Sequence, residues 1–125
     1  MLSKFTNRSI VKMINGLNNF KKSNQRRPVR LMYAINQNLN KLEEAIKPFE
    51  TSRNEIVDKY CQVEESGKII PLEGNKETVE KQLGELLEIE IEVDVSKIAF
   101  DVIKDMEMLG TEFDTIEFMI EGSTL

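Results

Sequence analysis

Histidine and tryptophan are both absent from this chain, and no carboxylate stands before Glu43. Without histidine, the commonest general base, proton shuttle and metal ligand is missing, which excludes Ser-His-Asp and Cys-His catalysis. A lone cysteine, Cys61, excludes an internal disulfide and a cysteine-based zinc site; it reads as a small, half-buried residue at a helix end. No G-x-G-x-x-G or G-x-x-x-x-G-K-S/T phosphate loop exists, and the glycines are scattered. No apolar run approaches the roughly 18 residues of a membrane helix. The opening Met1-Leu2-Ser3-Lys4-Phe5-Thr6-Asn7 lacks the apolar stretch of a secretory signal. These absences lead us to expect a soluble, intracellular protein that makes no membrane contact, is not an enzyme, and takes no cofactor and no metal.

The missing early carboxylates expose an unequal division of charge. Residues 1–62 carry 12 Lys or Arg against 5 Asp or Glu, a net of +7; residues 63–125 carry 5 against 17, a net of −12. An average acidic balance of −5 therefore hides a basic half and an acidic half. Such a dipole points to a macromolecular partner rather than a small substrate. A length of 125 residues fits a single domain, 1–125, with a basic helical half at 1–62 and an acidic α+β half at 63–125. Six Met and few aromatics predict an aliphatic, adaptable core.

Along the chain, Leu2–Asn7 reads as an extended lead-in, with Thr6 or Asn7 capping a helix to about Phe20. Its apolar stripe is Ile10, Met13, Ile14, Leu17 and Phe20, and Phe5 would staple its start to the core. Residues 21–27 form a basic connector, and Pro28 suits the first turn of the next helix. In that helix Ile35, Leu42, Phe49 and Ile56 recur every seven residues, with Leu31, Leu39, Ala45, Ile46 and Tyr60 beside them. Pro48 divides this seam into segments of about 29–47 and 48–61, separate or joined through a bend. A hairpin turning at Ser66-Gly67 follows, with Pro71 placing its second strand on an edge. Asn75 caps a helix to about Leu87. Residues 89–95 then alternate strictly between apolar and acidic, the clearest strand in the chain. Ser96 or Lys97 opens a helical stretch to Leu109, and Thr111 caps a last short helix that Gly122 ends. The fold class expected is α+β, α-dominant. It has four or five helices, including a long kinked seam helix, and a small two- or three-stranded antiparallel sheet.

Two charged groups are candidate surfaces. Glu88, Glu90, Glu92 and Asp94 project from one strand face at roughly 7 Å intervals. They form a row able to imitate a phosphate backbone, or simply the solvated face of a half-buried strand. Asp101 and Asp105, one helical turn apart, read as a solvated face. Lys21, Lys22, Arg26, Arg27 and Arg30 crowd ten residues. They form either a patch for phosphates or an acidic partner, or a loop that balances the acidic half. No aromatic lies inside the cluster, unlike the usual stacking nucleic-acid modules.

Three segments carry a resemblance. They are Met1-Leu2-Ser3-Lys4-Phe5-Thr6-Asn7 with Ile10, Ile14 and Leu17, then Lys41-Leu42-Glu43-Glu44 leading to Val57-Asp58-Lys59-Tyr60, and finally Ile116-Glu117-Phe118-Met119-Ile120-Glu121. Together they are similar to a family of small uncharacterised proteins, a domain of unknown function, from tailed phages of Gram-positive bacteria. The basic connector after Phe20 departs from that pattern. The resemblance implies a phage or prophage origin and action in the host cytoplasm, and it brings no catalytic residues with it. The helix–hairpin–helix order of residues 29–87 also loosely resembles a prefoldin-type chaperone subunit, although its second helix is too short for that fold's tentacles.

The function expected is a non-enzymatic phage accessory protein that binds and modulates a host protein or nucleoprotein complex. It would inhibit a nucleic-acid-processing or defence complex, as an anti-CRISPR nucleic-acid mimic does, by covering a cationic groove with its acidic half. The alternative is a virion-assembly chaperone or structural protein that binds through apolar surface. Direct nucleic-acid binding through residues 21–30 ranks below both because of the net charge. The seam over residues 31–60 offers a homodimer interface as a further option.

Overall fold

The computed structural model describes residues 2–22, 27–106 and 110–121. The protein is α+β and α-dominant, with four helices and two separate two-stranded antiparallel sheets among the described residues. The lead-in is strand β1, Leu2–Thr6. Thr6 ends it in an extended conformation, and its Oγ1 accepts the Ser9 N–H at 3.1 Å, which starts helix α1, Asn7–Lys21. Ile10, Leu17 and Phe20 are buried along α1, with Met13 and Ile14 half-buried beside them. At Gly16, α1 approaches helix α4 (Gly110–Ile116) so closely that a Cβ would lie 3.0 Å from Thr115 Cγ2.

Helix α2 runs unbroken over Val29–Tyr60, with Pro28 immediately before it rather than in its first turn. The two segments expected on either side of Pro48 are one helix. Pro48 is on the exposed side, while Leu42, Ile46, Phe49 and Ile56 stay buried on both sides of it. Packing of this stripe carries the helix past the hydrogen bond that the proline cannot make. The seam is buried within the chain, against α1, the helix at Lys76–Leu87 and the strand at Glu90–Asp94. Ile35 and Leu42 are 0% exposed, so these seam positions are packed against the chain's own elements.

Strands β2 (Cys61–Val63) and β3 (Ile69–Pro71) form the expected hairpin. Gly67, at φ +86°, supplies the left-handed residue of its turn and donates its N–H to Glu64 O at 2.8 Å. Asn75 precedes helix α3, Lys76–Leu87, as expected, but its side chain makes no capping hydrogen bond. Strand β4, Glu90–Asp94, pairs antiparallel with β1, from Leu2 opposite Asp94 to Thr6 opposite Glu90. Phe5 faces inward opposite Ile91 and meets Phe118 edge-on, with ring centroids 6.3 Å apart.

The helix expected from Ser96 or Lys97 onward does not form over the described part of that stretch, which holds only a single 3-10 turn, Phe100–Val102. Long-range pairing claims the segment instead. Ile98 bridges to Ile120 in parallel: it donates its N–H to Met119 O and accepts the Glu121 N–H. Over the described residues α4 covers Gly110–Ile116, so Thr111 does not cap it. That residue lies inside the helix, and its carbonyl accepts the Thr115 hydroxyl. A 3-10 turn, Glu117–Met119, follows; Gly122 lies outside the described residues. Ile116, Met119 and Ile120 close a core that extends back to Ile10.

Candidate partner-binding face

β4 alternates as its sequence requires, with Val93 buried and Ile91 half-buried on the inner side, and Glu90, Glu92 and Asp94 exposed on the outer side. The register with β1 places Thr6, Lys4 and Leu2 directly opposite these three carboxylates on the same outer face. Among the described residues, Glu90 and Glu92 enter no ion pair or side-chain hydrogen bond. Asp94 differs from them. Its carboxyl is held below the ordinary aspartate range, chiefly by the positive amino terminus and then by Lys41. Lys41 is fixed in turn, its Nζ donating to Asp94 O at 2.7 Å and to Ser96 Oγ at 2.9 Å.

Glu88 does not belong to this row. It stands at the C-terminal cap of α3, two residues before the strand, and its Oε1 accepts the Arg8 Nε–H at 2.9 Å. The helix end and the intervening Ile89 take it out of the strand's alternation.

The basic patch divides as well. Lys21, Lys22 and Arg30 are exposed, and Arg26 lies outside the described residues. Arg27 is no surface cation: its side chain is 4% exposed, it pairs with Glu112 of α4, and its guanidinium lies 4.5 Å from the Phe20 ring centroid. The absence of cations around Glu112 and the position of Phe20 just before the connector were the only sequence signals for this internal pair. Asn38 was missed altogether. It is 1% exposed on the seam side of α2, and its amide grips the Ser96 backbone twice, donating to Ser96 O at 3.0 Å and accepting from Ser96 N at 2.8 Å. A polar residue inside an apolar stripe was the available clue.

Two open grooves flank the strand. One, of about 510 Å³, lies between α2 and β4 and is lined by Asn40, Lys41, Glu44, Ala45, Glu92, Val93 and Asp94. The other, of about 410 Å³, lies between α2 and α3 and ends at Ile89. Cys61 is half-buried at the end of α2, as its sequence position implied. Among the described residues, no three His, Cys, Asp or Glu side chains gather to hold a metal ion. No helix there is long and apolar enough to cross a membrane. The chain matches no family model, no curated protein and no solved structure.

Proposed function

We propose that this chain is a non-enzymatic phage accessory protein acting in the host cytoplasm, where it binds and modulates a nucleic-acid-processing or defence complex. Its acidic face covers a cationic groove of that partner. One observation carries the reading: Glu90, Glu92 and Asp94 lie exposed in a row on one strand, and among the described residues the first two enter no ion pair, although Lys4 stands opposite Glu92. A β-strand spaces alternate side chains by roughly 7 Å, close to the roughly 7 Å rise of two nucleotides along one strand of a duplex. A strand is also stiff, so the row enters a groove without the ordering cost of a flexible acidic tail.

The test is affinity capture from lysate of a Gram-positive host, with elution by stepwise salt and a parallel capture on the variant Glu90→Gln/Glu92→Gln/Asp94→Asn. The proposal requires a nucleic-acid-binding protein or complex that elutes as salt rises and is not retained by the variant. Equal retention by both proteins refutes it. The assembly-chaperone reading draws on a different observation. Val63 and Ile69 face one another across the hairpin, 61% and 53% exposed, with Leu72 nearby at 39%. A virion protein captured with little salt dependence, and released by Val63→Ser/Ile69→Ser, would favour that alternative.

A further inference from the structure

The groove between α2 and α3 has a composition that defines its occupant. Its walls repeat one pattern: Ser52, Glu55 and Ile56 on α2, and Gln82, Glu85 and Leu86 on α3. Each set has i, i+3, i+4 spacing and so occupies one stripe of its helix. Ile56 is nearly buried and Leu86 half-buried, so they form an apolar floor. Ile89 stands at one end and is 50% exposed, a large aliphatic side chain that the fold leaves in water. Glu55 and Glu85 stand one on each wall, and neither enters an ion pair or side-chain hydrogen bond among the described residues. Among the described lining residues the cation is Lys59, whose Nζ lies 5.2 Å from the Tyr60 ring centroid.

We infer that this groove docks a basic amphipathic segment of the partner protein, with an apolar side chain seated on Ile56, Leu86 and Ile89 and flanking Arg or Lys residues reaching Glu55 and Glu85. Its volume, about 410 Å³, is ample for a single apolar side chain, since clefts of roughly 300–1,000 Å³ take whole small-molecule ligands. Apolar anchors at helical spacing laid into a groove between two helices are a recurring mode of peptide recognition. Charge complementarity selects the flanks: two carboxylates on opposite walls, with no ion pair among the described residues, disfavour an acidic or purely apolar occupant. The inference rests on the cationic partner proposed above and adds an apolar anchor that the strand face cannot provide.

The probe is a synthetic Leu/Lys amphipathic peptide, titrated into the isotope-labelled full chain and followed by backbone amide shifts. A control peptide carries the same lysines with Gln in place of Leu. The inference predicts shifts centred on Ile56, Tyr60, Leu86 and Ile89, and binding of the control at least about tenfold weaker. Ile89→Ser should weaken the Leu/Lys peptide by about tenfold, the loss of one partly exposed aliphatic contact. Glu55→Gln/Glu85→Gln should weaken it by about threefold and flatten its salt dependence. The two variants change different chemistry, so the test survives if one of them fails to fold. Equal binding of both peptides, or shifts confined to Glu90, Glu92 and Asp94, overturns the groove as a docking site. Groove shifts that appear only as the protein is concentrated, with no response to peptide, assign it to a second copy and overturn the inference too. Peptide seated in the groove while the strand variant captures the host complex normally would leave this inference standing and remove the acidic-face reading.

Discussion

Asn38 and Arg27 hold the fold together through chemistry that their sequence neighbourhoods disguise. Asn38 sits in a run of apolar seam positions, yet its amide satisfies both the donor and the acceptor of Ser96. Asn38→Ala would leave those backbone groups without their side-chain partner, at a cost of about 1–3 kcal/mol. The check is a denaturant titration in which the midpoint falls and the slope is unchanged. Arg27 belongs to a cluster that reads as one basic patch, but burial separates it from its neighbours. Arg27→Met should destabilise by about 3–5 kcal/mol, because it breaks the ion pair with Glu112 in a mostly buried setting. Lys21→Gln, Lys22→Gln and Arg30→Gln are exposed changes and should stay within about 0.5 kcal/mol. If all four substitutions cost the same, Arg27 has no structural role.

Helix α2 shows how far periodicity can be read at the scale of an element. The recurrence of Ile35, Leu42, Phe49 and Ile56 identified its buried stripe, and all four positions are in the core or at its edge. Leu42→Ala should therefore cost about 2–5 kcal/mol by equilibrium unfolding. At Pro48 local propensity counts the lost hydrogen bond but not the packing on either side, which keeps the helix unbroken. Since Pro48 is exposed and inside the helix, Pro48→Ala should stabilise the protein, by up to about 3 kcal/mol. A lower melting temperature for that variant would show that the chain needs the proline. Alternation made β4 legible, and Thr6 marked the start of α1. What remained hidden was partnership. Nothing local says that Leu2–Thr6 pairs with Glu90–Asp94, or that Ile98 abandons a helix-like pattern to bridge to Ile120. The unpaired grooves were equally illegible, since they exist only once α2, α3 and β4 lie side by side.

For the molecule as a whole, part of the charge division is consumed internally. Arg8 pairs with Glu88, Arg27 pairs with Glu112, and Lys41 clasps the backbone at Asp94. The basic half thus folds onto the acidic half, and what remains outward is narrower than the totals suggest. It still includes Glu90 and Glu92 beside Asp94 on one strand, and Lys21, Lys22 and Arg30 elsewhere, among other exposed charges. The seam is satisfied within one chain, so the melting temperature should not change with protein concentration; a rise would mean that two copies associate through another surface. The most direct test of the acidic face compares three proteins in one salt-stepped capture from host lysate: the unaltered chain, Glu90→Gln/Glu92→Gln/Asp94→Asn, and Lys21→Gln/Lys22→Gln/Arg30→Gln. The account predicts that the unaltered chain and the cation variant retain the same nucleic-acid-binding partner until salt releases it, while the carboxylate variant retains none. Retention by the carboxylate variant, with loss on removing the cations, would contradict the account and make the basic half the working surface.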